Sequence, residues 1–151
     1  MRAHEVEISP GALLHPLLPG SHFAHAARIS LARRPDSAVQ AYLDIARQVP
    51  AWFDGLMRMR NAGMRRLGIF TLQALRADGV VLGDSDRHLR VDLSLELQPA
   101  DEGCDLQLST VVHLHRPFGR LYMLPVAPLH RRIVPRLLET YARRLSAPAH
   151  G

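Results

Sequence analysis

"HLRVDLSLELQPADEGCDLQLSTVVHLH", His88 to His115, is two runs of strict apolar–polar alternation separated by one polar break that contains a glycine. A period of two places successive side chains on opposite faces of a strand. In the first run Leu89, Val91, Leu93, Leu95 and Leu97 share one face, and His88, Arg90, Asp92, Ser94 and Glu96 share the other. In the second run Leu106, Leu108, Thr110, Val112 and Leu114 face one way, and Gln107, Ser109, Val111, His113 and His115 the opposite way. "PADEG" between them reads as a turn, so the pair forms an antiparallel hairpin with one face toward a core and one toward solvent. Its register follows from the turn. If Gln98 pairs with Asp105, His88 lies opposite His115; a shift of two residues sets it opposite His113.

Upstream of the hairpin, the pattern turns to strands from Ile69, with Asp78-Gly79 as a turn signal. Further back, "HFAHAARISL" (22–31) alternates as a half-buried first strand and carries His25 on its apolar side. "RRPDSAVQAYLDIARQ" then offers Asp36 or Ser37 as a helix cap, followed by Ala38, Tyr42 and Ile45 at helical spacing. Pro50 suits the first turn of a second helix with Trp52, Leu56, Met59 and Leu67 as its apolar stripe. Downstream, Gly119 suits a tight turn, "RLYMLPV" reads as a last short strand, and Pro128 opens a C-terminal helix. Along that helix Val134, Leu138, Tyr141 and Leu145 make one apolar face, and Pro135 marks a kink or a late start. The expectation is one α+β domain over 1–151, with frayed ends at about 1–8 and 146–151. A curved antiparallel sheet wraps around the C-terminal helix, and two short helices follow the first strand.

A chain of 151 residues with 47% hydrophobic and 22% charged composition folds around its own core. The net charge of +5 raises nucleic acid as a partner. All nineteen basic residues are arginines spread along the chain, however, and neither stacking aromatics nor a reading motif accompanies them, so nucleic acid is not expected. No stretch reaches the roughly 20 apolar residues of a membrane span. A cytoplasmic location is the resulting expectation. Cys104, the single cysteine, has no partner for an intrachain disulfide.

"PAWFDGLMRMRNAGMRRLGI", "VLGDSDRHLRVDLSL" and "GRLYMLPVAPLHRRIV", with "LPGSHFAHAARI" as a weaker fourth, resemble the signatures of an uncharacterised bacterial family, domain of unknown function 2867. The order of elements resembles the helix-grip fold of the START and birch-pollen-allergen-like (SRPBCC) superfamily. His25 and Arg116 depart from the family pattern, where an acid and an asparagine are usual. The resemblance implies a cavity between sheet and C-terminal helix. Superfamily relatives include lipid carriers, hormone receptors and polyketide cyclases, and related domains occur behind short-chain dehydrogenase-like modules, so it fixes no reaction.

On this reading a small apolar or amphipathic molecule would sit between sheet and helix. Trp52, Met59, Leu93, Leu108, Val112 and Tyr141 would line or seal the space, and Arg120, Tyr122 and His130 would form its polar end across the bend before Pro128. A cyclase- or dehydratase-like enzyme using the same cavity is the first alternative. An accessory module for a dehydrogenase-like partner, or a homodimer formed through the outer sheet face, is the second. No nucleophile stands with a base and an orienting group, so no catalytic residue is assigned, and no cofactor is implied. His113 and His115 have a spacing that suits two metal ligands, with His88 as a third, but they lie on the outer face and lack a completing ligand.

Overall fold

A computed structural model describes residues 2–48, 71–75, 78–85, 89–101, 103–115 and 117–146; at 71–75, 84–85 and 117–122 it describes the backbone alone. Six antiparallel strands form one sheet: β1 (His4–Val6), β2 (Phe23–Leu31), β3 (Thr71–Leu75), β4 (Gly79–Ser85), β5 (Leu89–Pro99) and β6 (Cys104–Leu114), in the order β1-β2-β6-β5-β4-β3. Helix α1 (Ala38–Ala46) follows β2, and helix α2 (Pro117–Ser146) ends the described chain. The fold is therefore α+β. The second helix expected after Pro50 lies outside the described residues.

The hairpin β5–β6 takes the register in which Gln98 faces Asp105, and Leu95 faces Leu108. The expected inner face is the inner face. Ala27, Ile29 and Leu31 of β2, Val80 and Leu82 of β4, Leu95 and Leu97 of β5, and Leu106 and Leu108 of β6 bury together against Ala38, Ala41 and Ile45 of α1. Val134, Leu138, Tyr141 and Ala142 of α2 close the same core. The N-terminal residues contribute more than a frayed end. His4–Val6 pair with Arg28–Ala26 as β1, and the Ala3 amide donates to Glu139 Oε1 of α2 at 3.0 Å.

Ser37 is the cap of α1: its backbone is extended and its Oγ accepts from the Gln40 amide at 3.1 Å. Without that acceptor an opening N–H of the helix loses its partner. Ser37→Ala should therefore lower stability by about 1 kcal/mol, near 3 °C in melting temperature for a chain of this size. Ser37→Asp, which keeps an acceptor, should melt close to the parent; equal losses in both variants would remove the cap from this role.

The first correction concerns the start of the C-terminal helix. "RLYMLPV" is not a strand, and Pro128 does not open a helix. A single helix runs from Pro117 through Gly119 to Ser146, with Pro125, Pro128 and Pro135 inside it. The burial pattern shows why: Met123, Val126, Ala127, His130, Val134, Leu138 and Tyr141 turn inward at helical spacing, while Leu124, Pro125, Pro128 and Arg131 are exposed. Each internal proline leaves the carbonyl four residues earlier without its amide partner. For Pro128 and Pro135 those carbonyls belong to Leu124 and Arg131, on the exposed side, where water can serve them. Pro117 itself stands at the first helical position, where its missing N–H is not needed.

The second correction concerns the outer sheet face, expected to be solvated. Asp92, Ser94, Gln107, Ser109 and Val111 are fully buried there, and Glu96 is 8% exposed. The chain's own N-terminal segment covers it: Leu14 packs on Val81 and Val111, joined by Ile8, Leu13, Leu17, Leu18 and Ala24. Most of the polar groups beneath are satisfied within the protein rather than by water, Ser94 Oγ being the exception among the described residues. Arg28 donates twice to Gln107 Oε1, Gln107 Nε2 donates to Ser109 Oγ, Arg90 donates from Nε and Nη2 to both oxygens of Asp92, and the Leu13 amide donates to Glu96 Oε1.

Candidate functional site

The inner face is apolar except at one end. There β2 begins with Phe23, and two polar side chains stand on the apolar side of adjacent strands: His25 of β2 and its direct partner Thr110 of β6, each 3% exposed. Phe23 faces Val112 in the next inward row. Helix α2 lays His130 over this corner. Its ring meets His25 edge to face at 5.2 Å between centroids and Phe23 likewise at 5.7 Å, while the Arg131 guanidinium lies 5.5 Å above the Phe23 ring.

Three polar atoms of this corner are sealed from solvent and have no hydrogen-bond partner in the described protein: His25 Nδ1, Thr110 Oγ1 and His130 Nε2. An unmatched buried polar atom costs about 1–3 kcal/mol, so three together call for an explanation. Burial also favours the uncharged rings. It lowers the His25 pKa, opposed by Glu5 and assisted by Arg131. For His130 burial is again the main cause, with His25 and Arg131 adding to it, and the pKa is held down to about 4. Both imidazoles are neutral near pH 7, each with a lone pair to offer.

The residues expected to form the site are distributed as follows. Val112 is buried on the inner face beside Phe23, and Leu93 pairs with Thr110 and packs against the core as a half-buried residue. Leu108 and Tyr141 belong to the packed core at the other end, where burial pushes the Tyr141 hydroxyl up to about 12. Trp52 and Met59 lie outside the described residues. Arg120 and Tyr122 fall in the opening turns of α2, and their side chains lie outside the description. The bend that was to bring them to His130 is absent. Eight residues of continuous helix separate Tyr122 from His130, about 12 Å along the axis. The sequence had shown His25 and Thr110 on apolar strand faces; that they are neighbours under His130 needed the β2–β6 register and the true start of α2.

A family model described as "Protein of unknown function (DUF2867)" matches residues 61–137, just over half of the chain. The chain belongs to this family. In this DUF2867 protein the matched span includes Thr110, Val112 and His130 of the corner, whereas Phe23 and His25 precede it. No curated protein and no solved structure matches the chain. Among the described residues, no helix is long and apolar enough to cross a membrane.

On the other face of the DUF2867 sheet, at the same end, an open pocket of about 420 Å3 lies between the strands and the N-terminal segment. Pro16, Leu17, Pro19 and Gly20 form one wall, and His22, Arg90, His113, Leu114 and His115 the other. Two of the histidines considered for a metal are thus here, and His88 lies outside the described residues. Among the described residues no three metal-ligating side chains are grouped closely enough to hold an ion. Arg90 is moreover the direct cross-strand partner of His113, a fixed positive charge that disfavours a second cation beside it.

Proposed function

We propose that the protein binds a small amphipathic molecule between the inner sheet face and α2, with its polar group held at the His25–Thr110–His130 corner. The observation that carries this reading is the set of three buried atoms without partners, on an otherwise apolar face. A ligand hydroxyl placed among them would donate to an imidazole nitrogen and accept from Thr110 Oγ1 at once, and a ligand carbonyl would accept from Thr110 Oγ1, while the apolar body lies along Val112 and Leu93. Trp52 and Met59 are the residues that would extend the lining. The START-like resemblance of the sequence supports the same reading.

Native and denatured masses of protein purified without an affinity-metal step test this directly. The expected result is a released neutral organic molecule at one per chain. A panel of medium-chain alcohols and ketones should raise the melting temperature, and Thr110→Val should weaken that response about ten-fold, the worth of one buried hydrogen bond. Identical native and denatured masses, with no response to the panel, overturn the proposal.

An enzyme of the cyclase or dehydratase kind is the second reading. What favours it is His130, whose neutral ring leaves Nε2 free to take a proton in a site closed to water. It predicts hydrogen–deuterium exchange next to the carbonyl of a bound ketone that is lost in His130→Ala while binding persists. Binding without exchange in the parent protein leaves a carrier.

A further inference from the structure

We infer that the outer pocket is a second, separate binding site, and that it takes a small carboxylic acid through Arg90 and His22 with the acid's apolar stem against Leu17 and Pro19. The sheet lies between this pocket and the His25–His130 corner, so neither site depends on the other.

The register sets three nitrogen-bearing side chains in one row. His22 precedes Phe23, and its amide donates to the Val112 carbonyl at 2.9 Å, which places it beside His113 on β6. Arg90 of β5 is the direct partner of His113 on the other side. Adjacent strands lie about 4.8 Å apart, so the row spans about 10 Å. His115 stands exposed at the rim, two residues further along the same face.

Hydrogen bonding within the protein fixes what this row offers. Arg90 is aimed by Asp92, itself fully buried, which takes Nε at 2.9 Å and Nη2 at 3.3 Å. Nη1 has no partner among the described residues. His22 Nδ1 accepts from the Leu114 amide at 3.0 Å, so its ring proton is on Nε2, a donor. His113 Nε2 faces the Pro19 carbonyl at 3.4 Å, and its Nδ1 has no partner among the described residues. No carboxylate lines the pocket among the described residues; the nearest, Asp92, is already occupied by Arg90. A guanidinium held by a buried acid, beside a ring N–H donor, is an arrangement for an anion with oxygen acceptors. Proline and leucine supply the rest of the wall, which suits an organic acid better than a bare inorganic ion.

The test uses benzoate and inorganic phosphate with the full chain, followed through the histidine carbon-bound proton signals. Benzoate should shift His22, His113 and His115 saturably and leave His25 and His130 unmoved, with phosphate clearly weaker. The double change Arg90→Gln, Asp92→Asn removes both charges and retains an amide pair; it should weaken benzoate at least about ten-fold, as loss of a charged hydrogen bond does. His115→Glu changes only an exposed rim residue and should also weaken benzoate, by introducing a like charge, so the proposal stays testable if the double variant fails to fold. Unsaturable shifts, phosphate binding as tightly as benzoate, or benzoate affinity unchanged in His115→Glu would each overturn it. Saturable shifts from zinc at these histidines without benzoate binding would overturn it in favour of a metal.

Discussion

Lowering the pH from about 6.5 to about 4 will remove up to about 3 kcal/mol of stability through His130 alone. In the unfolded chain this imidazole takes a proton near its ordinary value of 6.5; in the folded protein it resists doing so until about pH 4. Between those values the unfolded state binds more protons, so stability falls as the pH falls. The contribution is complete above about pH 6.5 and exhausted below about 4. His25, lowered in the same direction, adds to the loss. Urea titrations at several pH values measure it, and His130→Phe isolates it: the ring against Phe23 and His25 is kept, and the titrating group is removed. The stability of that variant should decline less steeply across the same interval. An equally steep decline would place the acid sensitivity elsewhere and would also remove the neutral-ring basis for a catalytic role.

Gly103→Ala should destabilise the protein on the order of 3 kcal/mol or more, roughly 6–12 °C in melting temperature. Two penalties coincide at this residue. Its φ of +82° lies in the left-handed region that a side chain disfavours. A Cβ built there would also run into the carbonyl oxygen of Leu31 and sit 3.0 Å from the carbonyl carbon and oxygen of Ala32. Those are backbone atoms and cannot swing aside. Relief requires the β5–β6 turn to lift away from the end of β2, beginning at the Leu31–Cys104 pair. Gly20→Ala is the matched control, because Gly20 has a φ of +77° with nothing within 4 Å of the added carbon. It should lose only the conformational part, about 1–2 kcal/mol. Equal losses at the two positions would show that the contact with Leu31 relaxes at no cost.

Features governed by local spacing were legible in the sequence. Period-two alternation carried the β5–β6 hairpin and its inward residues, though not the choice between its two registers, and Ser37 with Ala38 and Ile45 marked α1. The apolar stripe from Val134 to Leu145 marked the end of α2. Its beginning was misread because Gly119 and three prolines are helix-breaking by propensity, whereas partial burial of Met123, Val126 and His130 on one side outweighs that preference. The outer face was misread for a different reason. Alternation tells which residues share a face but not what covers it. Asp92, Ser94 and Gln107 read as solvated until Leu14 and its neighbours are found above them. The candidate corner was half visible: His25 and Thr110 interrupted apolar faces in plain view, but only the β2–β6 pairing makes them neighbours.

The covered outer face has a consequence for how the molecule comes apart. Most sheets hide a greasy surface beneath whatever lies on them, and uncovering it invites aggregation. Here residues 8–18 rest on carboxylates, amides and hydroxyls, with Val81, Val111 and Ala24 as the apolar footing. If that strap peels away, most of what it uncovers can be hydrated at once, and the oily side of the sheet stays shut beneath α1 and α2. A protease cut within the strap can therefore open it with little exposure of adhesive surface, while β1 before it stays paired with β2.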